Sequence, residues 1–202
     1  MGSRYIPFFT NIYETKVWGD NGRSDYSGSS GTGSRLEMNS DYYIPFMRSF
    51  FKEHNVRSVA DLGCGDFLCG RTLYQDLPII YTGYDAYSKV VQANARDYPE
   101  FQFKHLDFVK DLDEVKPADV CILKDVLQHL LLVDIYQLLD KIVASKKFKY
   151  VFISNCSHQK SDDPELPQCL CRDLSADFLP LKKYKARVML RYRTKEVSLI
   201  TC

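Results

Sequence analysis

The chain has 202 residues, 45% of them hydrophobic and 26% charged, and its 27 Lys and Arg against 26 Asp and Glu leave a net charge of +1. A chain this long buries roughly 70% of its unfolded surface, so it can build a full core without metal or disulfide staples, and the composition excludes wholesale disorder. Balanced charge supplies no global field to gather nucleic acid or acidic lipid, which points to a small or neutral partner.

Aromatic residues crowd the first segment, with Tyr5, Phe8, Phe9, Tyr13, Trp18 and Tyr26 ahead of or inside a Gly/Ser-rich run over 20–34 (DNGRSDYSGSSGTGS). That run has no aliphatic side chain and reads as a loop or lid rather than a buried element, so residues 1–34 are taken as an aromatic lid segment and 35–202 as one domain. From Arg35 to His54 the apolar residues recur at helical spacing, and Pro45 implies a kink or a helix that starts there. Strand-like runs follow at 56–62, 79–85, 101–106, 118–124 and 148–154, with helical patterns in most gaps. The clearest helix follows Asp134, read as its N-cap, with Ile135, Leu138, Leu139, Ile142 and Val143 on one face. A polar, Pro-containing loop spans 157–168, and two last runs, 186–191 and 195–201, form a hairpin.

Alternating strand and helix predicts an α/β, Rossmann-like doubly wound sheet, mostly parallel with an antiparallel C-terminal hairpin and with helices on both faces. Seven cysteines without a CxxC pair, and no signal peptide, read as reduced thiols in a cytoplasmic protein. No apolar run approaches the ~20 residues of a membrane span.

Chemistry concentrates at the predicted strand ends. Asp61-Leu62-Gly63-Cys64-Gly65-Asp66-Phe67 leads from the first strand into a helix, and its glycines let a ligand approach the backbone. Position 68, where a dinucleotide fingerprint carries its third glycine, is Leu68, and Asp61 would face a pyrophosphate badly. Asp61 could instead hold an ammonium group through a water. Asp85 closes the second strand, where a carboxylate can accept both hydrogen bonds of a ribose diol. Asp107 and Phe108 close the third and suit an exocyclic amine and a stacked ring; Lys124 and Asp125 close the fourth. Any one of these is an ordinary strand-end residue, but together they line the edge at which open α/β sheets bind ligands.

DLGCG, YDA, HLDF and CILKDVLQHL, in that order, resemble the class I S-adenosylmethionine-dependent methyltransferases. IYETKVWG, SGSSGTGS, DLGCGDF and KDVLQHL are similar to a subgroup found in bacteria and large DNA viruses, some of whose members are fused to glycosyltransferases. The resemblance implies S-adenosylmethionine as cofactor, with Asp61, Gly63, Cys64 and Gly65 along its methionine part, Asp85 and Ala86 at the ribose, Asp107 and Phe108 at the adenine, and Lys124 nearby. Phe67 stands where many relatives carry a further glycine, which puts the helix-side packing in question.

Methyl transfer to an alcohol needs a base at the hydroxyl or a metal. If a helix began at the fourth strand's end, Asp125 and His129 would share one face, making His129 the base and Asp125 its orienter; the plain alternatives are a packed helix histidine and a helix cap. Asp125 and Asn155 resemble two ligand positions of metal-dependent O-methyltransferases, but Ser154 replaces an acidic one, so no metal ligand is assigned and a divalent ion is not favoured. Cys156, His158, Cys169 and Cys171 are spaced too tightly for structural zinc and read as loop residues.

Trp18, Ser34, Asn155 and His158 are candidate lid or substrate residues, and the aromatic segment could face sugar rings or simply pack. The basic tail, from Lys182 to Lys195, reads as charge protecting exposed sheet edges rather than as a nucleic-acid surface. A sugar or glycan hydroxyl, a deoxyhexose such as rhamnose among the options, is therefore the expected acceptor, in a domain of a larger glycan-building protein of bacterial or viral origin (host cytoplasm if viral). The alternatives are RNA or cap 2′-O-methylation and a cofactor-binding module without catalysis.

Overall fold

The computed structural model describes residues 2–156, 176 and 179–202. The chain divides into two compact units, Met1–Val115 and Lys116–Cys202.

The first unit holds helices α1 (Tyr5–Glu14), α2 (Leu36–Asn39), α3 (Tyr43–Glu53), α4 (Leu68–Tyr74) and α5 (Ser88–Asp97), with strands β1 (Ser58–Leu62), β2 (Ile80–Asp85) and β3 (Gln102–His105). The strands are parallel in the order β3-β2-β1. Asp61 pairs in register with Gly83 and Asp85 with His105, so the carboxyl-terminal ends of these strands lie at one edge. Pro45 is tolerated because it falls in the first turn of α3, where its missing N–H has no partner to lose.

The predicted lid segment is more ordered than its composition implies. Its first part is helix α1, and Asp20 and Gly28 form an isolated bridge. Tyr13, Tyr26 and Tyr87 are buried together, with Tyr13 and Tyr87 stacked at 4.5 Å and 11° between planes. The run over 20–34 thus contributes a buried tyrosine although it has no aliphatic residue, correcting the expectation that it could not be buried. Gly28 is required there, since a Cβ would lie 2.3 Å from the Tyr13 carbonyl oxygen.

The second unit holds β4 (Ala118–Lys124), α6 (Leu132–Ser145), β5 (Phe148–Cys156), α7 (Leu179–Lys183), β6 (Arg187–Tyr192) and β7 (Lys195–Thr201). β4 and β5 are parallel, while β7 runs antiparallel to both β5 and β6. The predicted α/β architecture, mostly parallel with an antiparallel C-terminal hairpin, is present, and the seven described strands coincide with the seven predicted runs within two residues at each end. One local reading is corrected: α6 starts at Leu132, so Asp134 lies in its first turn and the N-cap position is Leu131. A carboxylate there still opposes the positive end of the helix dipole.

Among the described residues no helix is long and apolar enough to cross a membrane, and five cysteines are free thiols.

Candidate functional site

In the first unit, the turn after β1 is shaped by three successive demands for left-handed backbone, at Gly63 (φ 87°), Gly65 (φ 54°) and Phe67 (φ 58°). A phenylalanine in that region costs roughly 1–2 kcal/mol, which its packing must offset. Phe67 is 1% exposed and touches Tyr81, Tyr98, Phe101 and Phe103 at centroid distances of 4.9–5.2 Å. Gly70 makes room for the ring, for a Cβ there would lie 2.2 Å from it. Phe67 is therefore an aromatic anchor at the start of α4.

Four carboxylates surround this turn. Asp61 accepts a hydrogen bond from the Tyr81 hydroxyl at 2.9 Å. Asp85 accepts one from the Gly65 N–H with one oxygen and one from the Tyr87 N–H with the other, each at 3.0 Å. Asp66 accepts from the Ser30 and Leu68 N–H groups and the Ser34 hydroxyl. Asp107 accepts from the Ser3 hydroxyl and the Val109 N–H. Burial pushes the carboxyls of Asp66 and Asp85 above the usual carboxylate range, against the pull of these donors and, for Asp85, of His105. Desolvation, with Asp85 and Asp61 nearby, also pushes the Cys64 thiol up, which disfavours its thiolate. Ala86 and Phe108 are buried beside their aspartates, and the Ala86 carbonyl pairs with the His105 ring at 3.0 Å. The first-unit residues predicted to hold a ligand are thus gathered at one strand-end edge.

Trp18 and Ser34 belong to the same unit. Trp18 is half-buried against Phe9 and Tyr13, and Ser34 donates to the Gly31 carbonyl as well as to Asp66. Tyr5, Tyr13 and Tyr26 are core residues, which removes them as sugar platforms; Phe8, Phe9 and Trp18 keep partly exposed rings.

In the second unit the expected Asp125–His129 pairing is not formed. Residues Leu127–His129 make a 3₁₀ turn, and Asp125 itself is left-handed (φ 58°), so the two side chains are not one helical turn apart on a common face. The Asp125 carboxylate is instead shared by two ammonium groups, Lys124 at 2.9 Å and Lys195 at closer range. The two lysines hold the Asp125 carboxyl down to about 2 although burial alone would raise it. Sequence reasoning placed Lys195 among exposed edge charges; it is 6% exposed and also reaches the Cys156 sulfur at 3.2 Å. The local signal was weak, since Lys195 opens a final strand that also carries Glu196, Ser198 and Thr201. Lys183 and Arg191 do behave as surface charges, paired with Asp140 and Glu196.

His129 is buried and its Nε2 lies 3.3 Å from the Gln128 side-chain nitrogen. The Gln128 carbonyl oxygen accepts the Cys156 N–H, so its amide nitrogen is the group that faces Nε2, and Nε2 is the acceptor in that contact. Among the described residues neither side-chain polar atom of Asn155, which is 1% exposed, has a hydrogen-bond partner. A buried amide left so costs about 1–3 kcal/mol, a sign that something else completes it. His158, Cys169 and Cys171 lie outside the described residues, and among the described ones no three His, Cys, Asp or Glu side chains gather as a metal would require.

No family model matches the sequence, and it matches none of the curated proteins. Solved structures do match. The methyltransferase domain of the bacterial protein CtHen1 is 15% identical with a TM-score of 0.63, over 81% of this chain and 99% of that one. Human N-acetylserotonin methyltransferase in complex with S-adenosylmethionine is 17% identical with a TM-score of 0.60, over 82% of this chain and 52% of that one. This chain has the class I methyltransferase fold. A third example of the fold is the N-terminal domain of EvdMO1, solved in the presence of S-adenosylhomocysteine and D-fucose, at 13% identity and a TM-score of 0.56, over 86% of this chain and 84% of that one. The chain spans about half the length of the human enzyme and nearly all of the CtHen1 domain.

Proposed function

We propose that the protein is an S-adenosylmethionine-dependent O-methyltransferase acting on a sugar or glycan hydroxyl. The observation that carries the cofactor is the ordered set of carboxylates, Asp61, Asp85 and Asp107, around the Gly63–Gly65 turn. Their donors fit the group. Each Asp85 oxygen accepts one backbone N–H and keeps lone pairs for a ribose hydroxyl. Asp107 and buried Phe108 suit the adenine, and a surplus of buried negative charge suits a cation.

When bound, S-adenosylmethionine supplies a methyl carbon already activated by its sulfonium. The chain's task is then to align an acceptor hydroxyl and remove its proton. His129 Nε2, which faces the Gln128 amide, is the proposed proton acceptor. Asp125, neutralised by Lys124 and Lys195, has no share in that proton; the proposal assigns it to holding the lysines, not to orienting the imidazole. Asn155 is the proposed acceptor contact, since one carboxamide can both donate to and accept from a hydroxyl, or bind two neighbouring ones. That demand fits a sugar diol, and the D-fucose present with EvdMO1 places a deoxyhexose beside an example of the same fold. Fusion to glycan-building domains and a cytoplasmic site of action complete the reading.

The test is mass spectrometry of sugars, oligosaccharides and RNA incubated with the protein and S-adenosylmethionine. Addition of one methylene to a sugar alone is expected; methylation of RNA alone would replace this reading by the nucleic-acid one, and cofactor binding without turnover on any acceptor would favour a non-catalytic module. His129→Ala should lower kcat about a hundredfold or more with little change in KM, as expected for loss of a general base. Full turnover in that variant would remove His129 from the reaction.

A further inference from the structure

Ser30 and Asp66 are joined in both directions. The Ser30 N–H donates to the Asp66 carboxylate at 3.2 Å, and the Asp66 N–H donates to the Ser30 hydroxyl oxygen at 2.8 Å. The Ser34 hydroxyl adds a second bond to the same carboxylate oxygen at 3.3 Å, and Tyr13, buried beneath, places its hydroxyl 2.7 Å from that of Ser30. The Ser30–Asp66 bonds span 36 positions of sequence and tie the Gly/Ser run to the turn after β1.

The tie falls on the turn's most constrained residue. Gly65 donates its N–H to Asp85, its carbonyl accepts from the buried Asn94 side chain at 2.7 Å, and a Cβ on it would lie 2.5 Å from the Ser30 hydroxyl. Gly65 is therefore held on three sides, by β2's end, by α5 and by Ser30. The residues flanking Asp66 are both left-handed, so this backbone needs outside restraint to keep its shape. Without the Ser30–Asp66 pair, Gly65 could rotate and carry its N–H off Asp85, freeing the carboxylate assigned to the ribose.

We infer that Ser30 and Asp66 are positioning residues for the cofactor, a reciprocal clasp that fixes the Gly65 turn and the Asp85 carboxylate and holds residues 28–34 against the bound nucleoside. The inference rests on the cofactor reading above. It gives the Gly/Ser run a specific task. Gly28 and Gly31 allow the close approach, Ser30 and Ser34 supply the bonds, and Asp66 receives them.

Binding of S-adenosylhomocysteine is measured by calorimetry and its dissociation by stopped flow, for wild type, Ser30→Ala, Asp66→Ala, the double variant and Ser30→Thr. Each alanine variant should bind about tenfold more weakly, chiefly through faster dissociation, and the double variant no more weakly than the worse single, because the pair acts as one unit. Ser30→Thr, which keeps the hydroxyl, should recover most of the loss. In ligand-free protein, amide exchange over 28–34 and 63–67 should rise together in either alanine variant. Folded alanine variants with wild-type affinity and dissociation would overturn the clasp while leaving the cofactor reading intact. A wild type that binds neither S-adenosylmethionine nor S-adenosylhomocysteine would overturn both.

Discussion

Aspartates close strands in both units, and the two units treat them oppositely. Asp85, at the end of β2, is held by two backbone N–H groups, and Asp66 nearby by N–H groups and a hydroxyl. Neutral donors support a carboxylate without cancelling its charge, so burial outweighs them, and for Asp85 the pull of His105 as well, and both carboxyls are raised. Asp125, past the end of β4, is gripped by two lysines and lowered to about 2. The difference separates carboxylates held by backbone and hydroxyl donors from one held by two ammonium groups. On the cofactor reading proposed above, the negative charge of the first unit awaits a cationic ligand, whereas Asp125 in the second is taken up by its two lysines.

The largest expected effect breaks the second arrangement. Lys195→Ala leaves Asp125 buried with Lys124 alone and should cost about 3 kcal/mol in urea unfolding, the low end for breaking a buried pair because one ammonium remains. Adding Asp125→Ala should recover part of that loss, and strictly additive costs would mean that the two do not interact.

Asp85→Asn tests the first arrangement. It should weaken S-adenosylmethionine binding about ten- to a hundredfold, about 1.4–2.8 kcal/mol, while the stability of the ligand-free protein near neutral pH changes little, because relief of the buried charge offsets the one N–H that the amide nitrogen leaves unpaired. The pH dependence should change in step. The folded protein binds the Asp85 proton more tightly than the unfolded chain does, so this group's contribution declines as pH rises from the ordinary carboxylate range through the raised value and is flat above it. Asp125 has the opposite sign, stabilising above the ordinary range and losing that contribution as pH falls toward 2. Chemical denaturation against pH in the Asn variant should lose the first dependence and keep the second.

A smaller effect is expected where packing alone shapes the turn. Gly70→Ala would drive a Cβ into the Phe67 ring. Overpacking of about 2 kcal/mol, offset by roughly 1 kcal/mol of helix propensity, leaves a net loss of about 1 kcal/mol, read as a lower melting temperature. An unchanged melting temperature would show that the ring moves freely and that Phe67 is not the anchor of α4.

Much of the architecture was legible because strand periodicity and turn chemistry are local. All seven described strands appear as β-branched or aromatic runs, and the glycine turn, Asp85 and Asp107 declare themselves by falling at strand ends. Helix α1 was hidden by an aromatic composition that reads equally well as a binding face. The Asp125–His129 pairing failed because it assumed an α-helix directly after β4, where a left-handed residue and a 3₁₀ turn intervene.

The sequence by itself determined the α/β order, the antiparallel end and the residues at the carboxyl ends of the strands, since each follows from spacing along a few neighbouring residues. Tertiary structure decided which of those charges meet lysines and which meet backbone and hydroxyl donors. Lys195 reaches Asp125 across 70 positions and Ser30 reaches Asp66 across 36, and contacts at such separations leave no periodic trace in the chain. A carboxylate's protonation depends on its burial and on the sign of its nearest neighbours, and both are fixed only when distant segments meet.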